Sequence, residues 1–480
     1  MRKLDGLQPG RVFYYFEEIC NIPHGSENMS RISEYCMNFA EKHSLKAIRD
    51  AADNVIIFKE ASNGYENAEP VILQGHLDMV CQKETGCCID FEKDGLDIFI
   101  EGDSIKAQGT TLGADNGIAV AMIMAILESD NYAHPPIEAL FTTDEEIGMI
   151  GATALDASVL KGKKMINLDS EDWGVITVSC AGGSDFVMNI PVKRKTATGQ
   201  SVKITVLGLK GGHSGVEIHK GRINANILAG RIIDNKNSCD FDIKSISGGD
   251  KANAIPNCCE IEIVTKDADS FVNEMKKVTD IILKENAERE NDLKIIFEKG
   301  AGGEFEVFDE ETTEKLTFML LCIPDGVVDM SAEIDGLVET SLNMGILKTD
   351  NAFIKSHFAL RSNKKSALMH LERRLAAFAS YLECEYEAYG YYPPWEYNDN
   401  SELQKTARET FFDKFGYEPK IEAIHAGLEC GVLSSKIEDF DCISIGPDMK
   451  DVHTVNEKLS IKSTGDTFDY ILKILEKCKG

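Results

Sequence analysis

Seven side chains able to bind a metal or move a proton stand just beyond apolar runs or in short polar motifs. They are His76 and Asp78 in "VILQGHLDMV", Asp115 in "TLGADNG", Glu145 and Glu146 in "TTDEEIG", Asp169 in "NLDSED", and His453 in "DVHTVNE". Strand side chains alternate between faces, so His76 and Asp78, two apart, emerge together at a strand's end. Imidazoles and carboxylates are borderline and hard ligands respectively. Five of them around two ions require one bridging carboxylate, with the ions roughly 3.5–4 Å apart as in two-metal hydrolytic centres. A further carboxylate must then stay free as a base. Taken singly each residue is ordinary: Asp115 ahead of "NGIAVAMIMAIL" suits a helix cap, and Glu145-Glu146 suits an exposed charged pair. The set, repeated after strand upon strand, points to a metal centre.

These groups need a scaffold that gathers strand ends. Apolar, β-branched runs at "NVIIFKE", "VILQGHLD", "IEALFTTDEE", "KMINLDSED" and "VITVSC" alternate with helical stretches such as "NGIAVAMIMAILES". That alternation predicts the α/β class, a sheet flanked by helices. In open α/β sheets functional groups collect in the crevice beyond the carboxyl ends of the strands. From about Asp185 the pattern changes. "EIEIVTKDADSFVNEMKKVTDIIL" and "IKSHFALRSNKKSALMHLERRLAAFA" each read as an alternating strand, a polar turn and an amphipathic helix, which predicts an internal duplication. After "YGYYPPWEY" helix and strand patterns resume. The expected organisation is a first domain of residues 1–184 with 389–480, and an inserted α+β domain of residues 185–388.

The 480 residues, 43% hydrophobic, are enough for two cores. With 51 basic against 80 acidic residues the net charge is −29, which repels nucleic acid and anionic lipid. The start of the chain lacks a long apolar segment behind its basic residues, and Gly117 to Leu127 is too short to span a bilayer. Fourteen cysteines occur without a C-x-x-C pair, neither a zinc-finger nor a disulfide pattern. The expectation is a soluble protein of the reducing cytoplasm.

"GHLDMV", "TLGADNGIAVA", "TTDEEIGMIGA", "NLDSED", "GGHSG" and "DVHTVNE", in this order along the whole chain, resemble the co-catalytic di-zinc peptidases of the aminoacylase and carnosinase type. "VETSLNMG", "FALRSN", "HAGLECG" and the long middle region resemble the branch that cleaves unblocked dipeptides, Xaa-His dipeptides such as carnosine among them. The resemblance implies a di-zinc aminopeptidase-like catalytic domain with a mixed sheet, and a lid formed by residues 185–388. It implies that Asp115 bridges two ions, with His76 and Asp169 on one and Glu146 and His453 on the other; zinc is expected, and manganese or cobalt suits the same set. Asp78 is then the residue that orients His76, and Glu145 the general base. His213 stabilises the oxyanion, and Arg361 grips the substrate carboxylate. Asn253, His425, Gly427 and Glu429 line the substrate pocket. The resemblance also implies a cis peptide between Asp115 and Asn116.

Two other functions share features with this one. An N-acyl amino-acid deacylase or a carboxypeptidase would use the same metal motifs, and the long middle region argues for the dipeptidase branch instead. A non-catalytic binding protein would be expected to lack the base or a ligand, whereas Glu145 and all five ligand positions are present. A homodimer through the lid is the expected assembly.

Overall fold

The computed structural model describes residues 2–237 and 239–479. The chain forms two compact units, the first from Met1–Ser179, Tyr397–Ala423 and Leu428–Gly480, the second from Cys180–Glu396 and Ile424–Gly427. Among the described residues no helix is long and apolar enough to cross a membrane.

The first unit is built on an eight-stranded mixed sheet in the order Lys46–Arg49, Val55–Lys59, Ile137–Thr142, Val71–His76, Lys164–Asn167, Asp441–Ser444, Val175–Cys180, Lys420–Ile424. Its four middle strands are parallel, and the pairs outside them that start the sheet are antiparallel. Central parallel strands are covered on both faces and so read as unbroken apolar runs. Val71–His76 and Ile137–Thr142 are accordingly buried at every position. Parallel direction also brings their carboxyl ends level: His76 pairs with Thr142, and Gln74 with Asn167. The α/β expectation holds, and each run that ends in a candidate ligand is a strand.

Helix Ala114–Glu128 packs on Val71–His76 and is buried throughout from Ala114 to Leu127, which explains its apolar residues on every side. The sequence pattern starts this helix at Asn116; the structure starts it at Ala114 but with non-helical backbone at Asp115 (φ −80°, ψ 104°) and Asn116 (φ −117°, ψ 23°). The Asp115-Asn116 peptide is cis. A small four-stranded sheet includes the hairpin Met449–Lys450 and Lys458–Ser460. His453 sits on the loop that this hairpin closes, with φ 62°.

The second unit carries an antiparallel sheet running Lys294–Phe308, Arg194–Leu207, Cys259–Thr265, Asp242–Gly248, Val338–Thr349, Phe353–Ser362, Gly182–Pro191, Glu385–Tyr392. Counted outward from the middle, each half presents its second, third, first and fourth strand in chain order. Each half also has a helix after its third strand, Ala268–Asn286 and Lys365–Tyr381. The two stretches that look alike in sequence are these third strands with their helices. The equivalent strands Asp242–Gly248 and Val338–Thr349 join the halves, with Ser247 opposite Lys348 and Gly248 opposite Leu347. One apolar core serves both, containing Ile204, Ile261 and Phe271 from one half and Phe186, Phe358 and Leu371 from the other.

Candidate active site

In the first unit the strand ends converge. His76 Nε2 lies 3.1 Å from Asp115 Oδ1 and 3.4 Å from Asp169 Oδ1. His453 Nε2 lies 3.1 Å from Asp115 Oδ2 and 2.8 Å from Glu146 Oε1. Asp115 therefore turns one oxygen to each imidazole, with Asp169 on one side and Glu146 on the other. Ligand atoms of His76, Asp115 and Glu146 all fall within 4.8 Å of one another.

The supporting contacts explain how this cluster is held. His76 Nδ1 lies 3.0 Å from the Asp78 carbonyl oxygen and 3.4 Å from Asp78 Oδ1. A proton on Nδ1 leaves the Nε2 lone pair for a cation. The buried Asp78 carboxylate also accepts the backbone N–H groups of Glu145 at 3.0 Å and Glu146 at 3.2 Å, and the Ser26 hydroxyl at 2.8 Å. Asn116 ties the bridging segment down: its Oδ1 accepts the His76 N–H and its Nδ2 donates to the Leu168 carbonyl. Ser26 and the second role of Asp78 carry no sequence signal, whereas Asn116 stands inside a motif already singled out.

Charge here is unbalanced, with three carboxylates facing two imidazoles. Hydrogen bonds with Asp115 and Glu146 raise His453 to about 11. Burial opposes charge on His76, but the Asp169 carboxylate and hydrogen bonds with Asp115, Asp169 and Asp78 outweigh it and lift the imidazole well above its ordinary range. Burial likewise works against a charge on Asp115, yet hydrogen bonds with His453 and His76 hold its carboxyl below the usual value. Burial pushes Asp169 up to about 7 and Glu145 well above an ordinary glutamate. Such a concentration of buried acceptors is what divalent cations neutralise, so the donor set fits them.

Glu429 also belongs to this unit. It is fully buried, accepts hydrogen bonds from Gln74 Nε2 at 2.5 Å and Thr142 Oγ1 at 2.6 Å, and is pushed by burial up to about 7. Gln74 connects onward to Asn167, whose Oδ1 accepts the Asp169 N–H at 3.3 Å.

The second unit gathers a different group. Gly211 (φ 60°) and Gly212 (φ 138°) take backbone conformations that disfavour side chains and turn the chain into His213. The His213 Nδ1 accepts N–H groups from Gly215 at 3.1 Å and Val216 at 3.2 Å. Burial and then the Arg361 charge lower its pKa, so the ring is neutral with its proton on Nε2. Asn253 is alongside, its carbonyl accepting the Ser214 N–H at 2.9 Å. Arg361 Nη1 donates to the Tyr392 hydroxyl at 2.8 Å, and its Nε has no partner among the described residues. A cavity of about 320 Å³ is lined by Asn253, Arg361 and Tyr392, with Ser184 and Asp185 among the other residues. Gly215 marks the meeting point: a Cβ there would stand 2.9 Å from His213 Cε1, 3.1 Å from Arg361 Nε and 2.6 Å from the His425 carbonyl oxygen.

His425 uses both ring nitrogens locally. Nε2 lies 2.7 Å from Ser341 Oγ and Nδ1 3.1 Å from Asn363 Oδ1. Gly427 ends the same short segment, Ile424–Gly427. The "HAGLECG" motif is thus divided, with His425 and Gly427 in the second unit and Glu429 in the first.

Residues 72–477 match the model of Peptidase family M20/M25/M40. The chain belongs to this peptidase family. It is a hydrolase of peptide bonds. It is similar to the cytosol non-specific dipeptidase of Escherichia coli (strain K12), at 35% identity over 99% of both chains. It is also similar to the crystal structure of aminoacylhistidine dipeptidase from Vibrio alginolyticus, with a TM-score of 0.93 and 35% identity over 99% of this chain and 98% of that one. The aminopeptidase PepT of Bacillus cereus shares the fold, at 15% identity and a TM-score of 0.57 over 99% of this M20-family chain and 100% of its own.

Proposed function

We propose that this protein hydrolyses unblocked dipeptides, Xaa-His dipeptides among them, with two divalent ions and a glutamate base. The observation that carries the reading is Asp115 turning one oxygen to His76 and the other to His453, the disposition a bridging carboxylate requires. The names of the Escherichia coli and Vibrio alginolyticus relatives support the substrate class. The proposed ligands are His76, Asp115 and Asp169 for one ion and Asp115, Glu146 and His453 for the other. Zinc is the metal that two imidazoles and three carboxylates suit, and manganese or cobalt fits the same donors. When bound, the ions lower the pKa of a water and polarise the scissile carbonyl.

Glu145 is assigned the proton transfers: it takes a proton from the attacking water and returns it to the leaving amine. Its burial, which disfavours the charged carboxylate, equips it to accept that proton. Asp78 fixes the backbone from which Glu145 projects. In the second unit His213, neutral with its proton on Nε2, is assigned as hydrogen-bond donor to the oxyanion. Arg361 takes the dipeptide's terminal carboxylate, for which a guanidinium fork is the natural partner. In the second unit Asn253 and Gly427 are assigned to substrate recognition and His425 to holding its segment; in the first, Glu429 is assigned to support from beneath the proposed ligands. The metal ions and the base are thus assigned to residues 1–184 with 389–480, and the lid residues His213, Asn253 and Arg361 to 185–388. A cytoplasmic location and a homodimer through the inserted region complete the proposal. The proposed dimer is assigned a surface other than the inner strands, which pair with each other at Ser247–Lys348 and Gly248–Leu347.

The test is release of free amino acids from a panel of dipeptides, N-acetyl amino acids and tripeptides. Cleavage of dipeptides alone, β-alanyl-histidine included, is expected. Cleavage of N-acetyl amino acids instead would contradict the substrate assignment while leaving the metal chemistry intact.

A further inference from the structure

We propose that Glu457 is a positioning residue of the metal centre, its carboxylate fixing the backbone of residues 112–115 and hence the Asp115 carboxylate relative to His453. The inference rests on the metal-centre reading above and assigns a role to a residue outside the ligand set.

Glu457 is 2% exposed. Its Oε2 accepts the N–H groups of Leu112 at 2.7 Å and Gly113 at 3.1 Å, and its Oε1 those of Ala114 at 2.9 Å and Asp115 at 3.4 Å. Four consecutive backbone donors thus converge on one carboxylate. These donors lead into helix Ala114–Glu128, whose N-cap residue, Gly113, has no side chain to offer. The first N–H groups of a helix lack partners within it, and an anion is favoured at that end. Glu457 supplies the missing acceptor from far along the chain.

A cap alone would serve stability. Two further relationships tie this one to the chemistry. The last of the four donors is the backbone nitrogen of Asp115 itself, whose side-chain oxygens stand 3.1 Å from His76 and 3.1 Å from His453. His453 and Glu457 share one hairpin loop, and the Glu457 N–H bonds the Thr454 carbonyl at 3.1 Å. The loop therefore meets Asp115 twice, through His453 Nε2 on a carboxylate oxygen and through Glu457 on the backbone. Backbone at Asp115 and Asn116 is non-helical, so helical hydrogen bonding does not set the direction of the Asp115 side chain. Ligand geometry tolerates displacements of only about 0.5 Å, and the two-point attachment holds the bridging ligand and its neighbour in one frame.

Glu457→Gln tests this with little change of volume. The amide keeps one accepting oxygen, enough for one pair of N–H groups, and turns an N–H₂ towards the other pair. In the full-length chain, the number and affinity of bound Mn²⁺ or Zn²⁺ would be measured against a competing chelator, together with the visible spectrum of the Co²⁺-loaded protein and dipeptide hydrolysis. The expected result is a native far-UV circular dichroism spectrum with metal affinity at least tenfold weaker, an altered Co²⁺ spectrum, and kcat reduced with KM little changed. If Glu457→Gln does not fold, Glu457→Asp, which keeps the charge but shortens its reach, is expected to show the same losses. Wild-type metal affinity and Co²⁺ spectrum in a folded variant, with only the melting temperature lowered, would overturn the proposal. Absence of divalent-metal binding by the wild type would instead overturn the metal-centre reading on which it rests.

Discussion

Asp78 Oδ1 accepts the backbone N–H of Glu145 at 3.0 Å. The same carboxylate lies 3.4 Å from His76 Nδ1, so one buried anion sets both the ring of a proposed ligand and the backbone beneath the proposed base. Asp78→Asn keeps the volume but turns an N–H₂ group towards one of these donors. We expect metal affinity to fall roughly 10–100-fold, as for other groups that orient metal-ligating histidines, and kcat to fall as well. Metal content after dialysis against a chelator and steady-state kinetics check both; a variant with full metal and unchanged kcat would remove Asp78 from the account.

Glu145 should separate from its neighbour Glu146 on mutation. Glu145→Gln is expected to bind metal as the wild type does and to lose about 10²–10⁴-fold in kcat. Glu146→Gln should lose metal. Measuring ions per chain alongside turnover distinguishes the two, and activity above about a tenth of wild type in Glu145→Gln would end the general-base assignment.

Gly215→Ala introduces a Cβ where His213, Arg361 and the His425 carbonyl already meet. The crowding should displace the His213 ring and the guanidinium, and a shift of about 1 Å in such groups can cost on the order of 10²-fold in rate. We expect kcat/KM for dipeptides to fall by that order with the number of bound ions unchanged, as followed by initial rates and metal analysis.

The acid side of the stability profile should carry the signature of His425. Burial, and then the Arg361 charge, lower its pKa from 6.5 to about 3. Between those values the unfolded chain binds a proton that the folded chain refuses. Its contribution is therefore intact above about pH 6.5 and is lost as pH falls towards 3, with a slope of at most about 1.4 kcal/mol per pH unit. Urea unfolding from pH 7 to pH 4 should show a shallower loss for His425→Gln than for wild type; identical slopes would contradict the assignment.

What could be read from sequence follows from locality. His76, Asp115, Glu146 and Asp169 stand within a few residues of apolar runs, so parallel strand direction alone brings most of them together. The strand and helix patterns of 259–286 and 353–381 are local as well, which is why the duplication could be seen. That one half of the second unit is inserted within the other could not, because sheet order depends on pairings such as Ser247 with Lys348. Tyr392 lies in "YGYYPPWEY", and nothing in that stretch announces a partner for Arg361. Glu457 stands within "DVHTVNE", but its carboxylate accepts N–H groups from residues 112–115, and nothing in its type or neighbours announces so distant a partner. Sequence reasoning also groups Glu429 with His425, while the structure bonds one to Gln74 and Thr142 and the other to Ser341 and Asn363.

The most direct test of the central claim is to strip the protein with chelator and follow dipeptide hydrolysis while Zn²⁺ or Mn²⁺ is returned in known equivalents. A bridging Asp115 predicts no hydrolysis by the stripped protein and activity that reaches its plateau at two ions per chain. Undiminished hydrolysis after stripping, or a plateau at one ion with no second ion bound, would contradict it.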